Sequence, residues 1–323
     1  MKYLITGGAG FIGGHLTESL LADGHQVKVI DNLATGSAAN LAGVINNSAL
    51  RFVKADILEY AGLDRDIADS DIIIHLAAAV GVELVVHDPV HTIITNVHGT
   101  ERVLNSAARH GKRTLIASTS EVYGKSKEPE FTETDDLLIG SPYHSRWSYA
   151  CSKLLDEFYL MAHYRASGFP GTVMRFFNIV GPRQTGRYGI VIPRMVSAAL
   201  SGESIPVYGD GTQSRCFCHV FDTVRAIRSL AECDDAIGRV FNIGSRNVIT
   251  IKELAEKIIK QLNSSSKIEL IPYEKAYEKG FEDMLRRRPS TDAIAELTGW
   301  SPTLSLDQII DDVSNQLKLE MQQ

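Results

Sequence analysis

Short apolar runs alternate with longer amphipathic stretches through the first half of the chain. Lys2–Thr6, Gln26–Asp31, Leu50–Lys54, Ile72–Leu76, Arg113–Ser118 and Thr172–Phe177 are rich in aliphatic residues and read as buried strands. Between them, Ile12–Ala22, Pro89–Arg109 and Tyr149–Ser167 carry the spacing of helices with one apolar side. Such alternation predicts a parallel sheet with right-handed crossovers, an open, doubly wound α/β fold of the Rossmann type.

After Gly181 the texture changes. Pro182–Arg215 is rich in Gly, Pro and Arg with little periodicity and reads as a loop-rich binding region. Arg239–Ile243 reads as one more buried strand. Thr250 with Glu253 predicts a capping box opening helix Ile251–Leu262, and Ser305 with Gln308 opens the last helix likewise. The 323 residues exceed the roughly 150 of a typical domain. The expected division is a sheet domain over 1–178 plus 217–243 and a smaller mixed α/β domain over 179–216 plus 244–323.

Composition narrows the partners. With 44% hydrophobic and 22% charged residues the chain reads as soluble and globular. A net charge of −6 argues against nucleic acid or an anionic membrane as partner. No apolar run approaches the ~18 residues of a membrane span, and the strand-like opening MKYLITGG predicts no leader and a cytoplasmic protein. Cys151, Cys216, Cys218 and Cys233 form no disulfide framework in a chain this long. Cys216 and Cys218 alternate along one expected strand, so they face opposite sides and predict no metal site.

The first candidate site follows the first strand. Gly7-Gly8-Ala9-Gly10-Phe11-Ile12-Gly13 joins a strand to a helix N-terminus, which is where a glycine turn can cradle a pyrophosphate. Glycine lets the backbone approach the phosphates, and Gly13 lets helix and strand pack closely. Asp31 ends the second strand about 20 residues on, where an acid accepts from a ribose 2′-hydroxyl. That carboxylate would repel a 2′-phosphate, and no arginine follows in Asp31-Asn32-Leu33, so NAD is favoured over NADP.

A second constellation carries acid–base chemistry. The fifth strand ends in Ser118-Thr119-Ser120-Glu121-Val122-Tyr123, at the edge that faces the ligand crevice. Tyr149 and Lys153 stand at i and i+4 and share a helix face. A phenol with pKa near 10 becomes a useful base when a neighbouring ammonium favours the phenolate. Thr119 can hydrogen-bond to the same substrate oxygen.

With these features in order, the sequence resembles the extended short-chain dehydrogenase/reductase family, specifically its nucleotide-sugar members. The resemblance continues through Leu76-Ala77-Ala78, Asn96, Arg175-Phe176-Phe177-Asn178-Ile179-Val180-Gly181-Pro182-Arg183, Tyr208-Gly209-Asp210-Gly211-Thr212-Gln213-Ser214-Arg215 and Gly299-Trp300-Ser301-Pro302. It implies a tightly held NAD touched by Gly7, Gly10, Phe11, Ile12, Gly13, Asp31, Asn32, Asp56, Ile57, Leu76, Ala77, Ala78, Asn96, Ser118, Tyr149 and Lys153. It further implies a nucleotide-sugar substrate whose diphosphate meets Asn178 and Arg215, with Val191 and Tyr208 as further substrate contacts, and a homodimer built through two helices from each copy.

Oxidation at C4 is shared by that group, after which the reactions diverge. Thr-Ser-Glu at 119–121 is similar to decarboxylases and some dehydratases, whereas 4-epimerases usually carry only small hydroxyl residues there. Ser145-Arg146-Trp147-Ser148-Tyr149 and Tyr277-Glu278-Lys279-Gly280-Phe281-Glu282-Asp283-Met284-Leu285-Arg286-Arg287-Arg288-Pro289 resemble UDP-glucuronate decarboxylases and UDP-apiose/UDP-xylose synthases. That likeness implies Arg287 facing the sugar carboxylate, Glu121 handling a proton at C5 and Ser120 beside them. Phe281 departs from that group's tyrosine, and Arg183–Pro193 is more like the loop of 4-epimerases. UDP-glucuronate decarboxylation is therefore the expected reaction, ahead of a UDP-sugar 4-epimerase and then a 4,6-dehydratase. A non-catalytic NAD-binding regulator would typically have lost the tyrosine or lysine, and both stand here.

Overall fold

The computed structural model describes residues 1–80, 88–184, 190–272, 284 and 286–322. Its centre is a parallel sheet of β1 (Lys2–Thr6), β2 (Gln26–Asp31), β3 (Leu50–Lys54), β4 (Ile72–His75), β5 (Arg113–Thr119), β6 (Gly171–Phe176) and β11 (Arg239–Ile243). The spatial order is β3-β2-β1-β4-β5-β6-β11. The chain reverses its winding at β1, between β2 and β4, so a crevice opens at the carboxyl ends there. Alternation along each strand sends Ile5 and Ile74 to one face and Leu4 and Ile73 to the other. Helices α1 (Phe11–Ala22) and α6 (Val220–Ala231) cover the first face, with Leu16, Leu20, Ile227 and Leu230 buried. Helices α2 (Leu63–Ala68), α3 (Pro89–Arg109) and α4 (Trp147–Ser167) cover the second through Ile67, Val103, Leu104 and Leu160.

The expected strands and long helices are present, with ends shifted by a residue or two. The reading of Pro182–Arg215 as loop-rich is corrected: it holds α5 (Val191–Ser201) and β8 (Ile205–Tyr208). Ile192, Met195, Val196 and Ala199 of α5 lie buried at helical spacing against α7 (Ile251–Gln261) and α9 (Leu306–Met321) in a second core. Strand β8 pairs in parallel with β13 (Ile268–Ile271). Capping boxes open both α7 and α9, at Thr250/Glu253 and Ser305/Gln308.

The single strand expected through Cys216 and Cys218 is two short strands. Strand β9 (Ser214–Cys216) pairs with β12 (Val248–Thr250), and β10 (Cys218–His219) pairs with β7 (Ile179–Val180). The chain passes from one ribbon to the other at Phe217, and both thiols are buried and free. The expected division at residue 244 is too simple as well. Helix α8 (Asp292–Thr298) and Trp300 return to the first core, where Ile294 and Trp300 are buried against α6 and β11. Trp300 Nε1 donates to the Asp222 carbonyl at 2.9 Å.

Candidate active site

The glycine turn is built so that nothing larger fits. Gly7 has φ 73°, and a Cβ there would lie 2.7 Å from the Ala77 nitrogen. A Cβ on Gly13 would come within 2.3 Å of the Gly7 carbonyl and 2.6 Å of Gly8 Cα. Gly10 caps α1 without any side-chain hydrogen bond, which leaves the first-turn N–H groups for an anion. Asp31 is buried at the end of β2 and accepts from Ala9 N at 2.9 Å and Leu33 N at 2.8 Å. Burial holds its carboxyl above the usual range, against the pull of those two amides. Turn, open helix end and strand-end acid together fit a dinucleotide's pyrophosphate and ribose.

A cleft of ≈ 440 Å³ runs along this edge. Gly7, Gly10, Phe11, Ile12, Gly13, Asp31, Asn32, Asp56, Ile57, Leu76, Ala77, Ala78 and Ser118 line it, as do Thr119, Tyr149 and Lys153. Asn32 Nδ2 donates to Asp56 Oδ2 at 2.9 Å, joining two of these positions. Asn96 stands elsewhere: it is fully buried, accepts from Ala79 N at 2.8 Å and donates to Ser152 Oγ at 3.1 Å. Its structural place is behind the cleft wall, tying the segment after β4 to α4. Sequence reasoning left out Arg183, which lines the cleft and bridges its two sides. Its guanidinium donates to the Asn40 carbonyl at 2.9 Å and pairs with Glu18 at 2.5 Å. Ser37 N and Asn40 Nδ2 in turn hold the Ala9 carbonyl, at 3.0 and 2.9 Å.

Tyr149 and Lys153 point from α4 toward the end of β5. Burial raises the Tyr149 phenol, the Glu121 and Asp156 carboxylates raise it further, and only the Thr119 hydrogen bond opposes them. The expected lowering by Lys153 is thus not what dominates. The lysine ammonium sits on Asp156 Oδ2 at 2.7 Å, and both side chains are 2% exposed. A neighbouring ammonium whose charge is matched by a carboxylate does little for a phenol.

Beyond Thr119 the chain makes a tight 3₁₀ turn, Ser120–Tyr123, with Ser120 buried and Glu121 N bonded to Thr119 Oγ1 at 3.2 Å. Arg287 comes from 166 positions away in sequence to meet Glu121, Nη1 to Oε1 at 3.3 Å. Both side chains are largely shielded, at 12% and 17% exposure. Arg288 reaches Glu130 at 3.4 Å instead, and Arg286 is exposed.

Asn178 has φ 43° and bonds Cys216 O through Nδ2 at 2.9 Å, joining the end of β6 to β9. Val191 opens α5, and Tyr208 accepts from Arg194 at 2.8 Å. Arg215 is buried in β9, its Nη1 donating to Ser214 O at 2.9 Å. The loop residues 185–189 and the stretch 273–283, including Phe281, lie outside the described residues. Among the described residues no cluster of His, Cys, Asp or Glu could hold a metal, and no helix is long and apolar enough to cross a membrane.

An uncapped glycine turn, a strand-end acid and a Tyr–Lys pair on one crevice fit a nucleotide-sugar enzyme of the NAD-dependent short-chain dehydrogenase/reductase class. Residues 4–313 match the model of the GDP-mannose 4,6 dehydratase family, and the chain belongs to that family. It is 41% identical over 309 residues to UDP-N-acetyl-alpha-D-glucosaminuronate decarboxylase of Bacillus cytotoxicus, covering 95% of this chain and 94% of that one. It is 35% identical to UDP-glucuronic acid decarboxylase 1 of Danio rerio, covering 95% of this chain and 70% of that one. Among solved structures, UDP-glucuronic acid 4-epimerase of Bacillus cereus, in complex with UDP-glucuronic acid and NAD, superposes with a TM-score of 0.89 at 26% identity. That superposition covers 99% of this chain and all of the other.

Proposed function

We propose that this protein is a UDP-uronate decarboxylase that works through a C4 ketone, with UDP-glucuronate as substrate. The observation that carries the reading is the Glu121–Arg287 pair beside Tyr149. A 4-epimerase needs no second acid–base group, whereas a decarboxylase needs a cation for the leaving carboxylate and a proton donor for the carbon left behind. Both named relatives are UDP-uronate decarboxylases, which supports the reaction, and the Danio rerio enzyme, named for UDP-glucuronic acid, supports the substrate.

When bound, NAD would supply the hydride acceptor. Gly7, Gly10 and Gly13 hold its phosphates and Asp31 its ribose. Tyr149 takes the C4 hydroxyl proton, while Thr119 hydrogen-bonds to the same oxygen. Arg287 and Ser120 receive the sugar carboxylate, which now lies β to a ketone. Its bond to C5 breaks, the electron pair passes into the ketone as an enolate, and carbon dioxide leaves. C5 takes a proton that comes from solvent, delivered by Glu121 or by a water it positions. The hydride that bound NAD would have accepted from C4 would then go back to the ketone, with Tyr149 returning its proton to the C4 oxygen. Asn178 and Arg215 are the proposed contacts to the nucleotide diphosphate, with Val191 and Tyr208 as further substrate contacts. Two units support this, the sheet with its glycine turn and the second core built on α5, α7 and α9.

A 4-epimerase is the second reading, favoured by the likeness to the Bacillus cereus enzyme. Proton NMR of the purified protein with UDP-glucuronate and NAD separates the two. A UDP-xylose or UDP-4-keto-pentose anomeric signal with carbon dioxide release establishes decarboxylation, and UDP-galacturonate establishes epimerisation. Turnover of UDP-N-acetylglucosaminuronate alone would move the reading to that uronate.

We also infer a homodimer. Val90, Ile93 and Ile94 on α3 and Leu155 and Phe158 on α4 are exposed apolar residues on two helices packed side by side, Val90 at 66% and Phe158 at 60%. A second copy offering the same two helices would bury them in a four-helix contact. Four free thiols support a reducing, cytoplasmic setting.

A further inference from the structure

Beneath the catalytic helix lies a buried chain of polar groups that the proposed chemistry does not use. Thr6 Oγ1 on β1 meets His75 Nδ1 on β4 at 2.6 Å, and His75 Nε2 meets Thr100 Oγ1 on α3 at 3.0 Å. Thr100 hydrogen-bonds to Asp156 on α4, and Asp156 Oδ2 takes the Lys153 ammonium at 2.7 Å. All five side chains are at most 2% exposed.

Burial raises the Asp156 carboxyl, opposed by the Lys153 ammonium and the Thr100 hydroxyl; with Asp156 ionised against that ammonium, one arrangement of protons satisfies this chain. The Asp156 carboxylate accepts only, so Thr100 gives it its single proton. Thr100 oxygen must then accept from His75 Nε2–H, which fixes the tautomer and leaves Nδ1 to accept from Thr6. Thr6 oxygen completes the path by accepting from Ala77 N, a residue of the cleft wall, at 3.4 Å. The scheme requires a neutral imidazole. Burial, helped by the Lys153 charge, pushes His75 down to about 3, so it carries no proton to spare. Each donor therefore faces an acceptor, and the whole series converges on Asp156.

We propose that Asp156 is a positioning residue: anchored through Thr100, His75 and Thr6 to two sheet strands, it fixes the Lys153 ammonium behind Tyr149 and balances its charge. An acid three residues after a lysine on a helix is ordinarily a solvated pair that interacts weakly. Here both members are out of water, so the carboxylate determines where the ammonium sits. The inference rests on Tyr149 and Lys153 being the working pair. Other charged groups facing them are Glu157 on α4, which is paired with Arg175 of β6, and Glu121 after β5, which is paired with Arg287.

The Asp156 carboxylate is one of the charges that raise the Tyr149 phenol, so it delays loss of the phenol's proton. The test is the pH dependence of turnover for Asp156→Asn, on whichever UDP-sugar the wild-type protein converts. The acid limb is expected to move toward lower pH by about one unit or more. Asp156→Glu, which keeps the charge, is expected to leave the limb near its wild-type position. Asp156→Ser, smaller and also neutral, gives the same reading should the asparagine variant fail to fold. A lower rate at every pH with an unmoved limb in either folded neutral variant would overturn the proposal. So would loss of fold in both neutral variants together with Asp156→Glu, because Asp156 would then hold the helices rather than the lysine. Failure of the wild type on every UDP-sugar sinks the reaction reading instead, so the two failures are distinguishable.

Discussion

Glu157, next to Asp156 on α4, carries a different load, and removing it should cost the fold dearly. Its carboxylate takes Arg175 Nη2 at 2.7 Å and Arg175 Nε at 3.0 and 3.2 Å, and accepts from Ser118 Oγ as well. Both side chains are about 5% exposed or less. Glu157→Leu would leave the guanidinium buried without its anion, and breaking such a pair typically costs about 3–5 kcal/mol. Set against a total stability of about 5–15 kcal/mol, that is a large fraction. Arg175→Met should cost a similar amount. The double variant should not cost the sum, because two apolar residues of similar size remove both charges together. What remains is Ser118 without its acceptor, and Tyr123, which keeps Asn242 Oδ1 at 2.8 Å but loses Arg175 at 2.9 Å. Those losses put the double variant about 1–3 kcal/mol below wild type. Urea unfolding of all four proteins measures the cycle from midpoints at constant slope. Additive losses in the double variant would refute the reasoning, since they would mean that the pair is not what each single change breaks.

Three other outcomes are expected. Gly13→Ala should abolish NAD binding in calorimetric titration, because the new Cβ meets the Gly7 carbonyl at 2.3 Å and backbone cannot step aside; retention within about tenfold of wild type, or about 1.4 kcal/mol, would contradict the cradle. Phe158→Glu should convert a dimer to monomer in sedimentation velocity while NAD binding persists, and an unchanged dimer would place the contact elsewhere. Asp222 ties α6 to the returning C-terminal segment, accepting from Thr303 N at 3.0 Å and Leu304 N at 2.9 Å. Burial alone would raise its carboxyl, but Arg225 and those amides outweigh it and hold it below the usual range. Its stabilisation is therefore present above the ordinary carboxylate pKa of about 4 and is lost as pH falls through the depressed folded value. Between pH of about 5 and 2, the urea midpoint of Asp222→Asn should fall less steeply than that of wild type.

The sheet was legible because parallel strands are buried on both faces and leave unbroken aliphatic runs such as Ile72-Ile73-Ile74. Helix α5 was not, although Ile192, Met195, Val196 and Ala199 carry its spacing, because Pro193 and the flanking Gly and Arg residues suggested a loop. Proline in the first turn is compatible with a helix, where its missing N–H has no partner to lose. In the site, Tyr149, Lys153 and the glycine turn follow from local spacing. The meeting of Glu121 with Arg287 does not, since it depends on where α8 and the segment before it return to the sheet. Asp156 is the plainest case: spacing makes it a routine partner for Lys153, and only the burial of both together with Thr100 and His75 reveals what it holds. Asn96 shows the reverse, a polar side chain on the right helix that braces the cleft wall from behind through Ala79 and Ser152.

Arg183 fastens the second unit to the first across the cleft, through Asn40 and Glu18, while Ser37 and Asn40 clamp the glycine turn from above. On the proposed reading, a dinucleotide seated in this cleft would lie between two units that Arg183 ties together, so exchange of the cofactor would depend on that one contact.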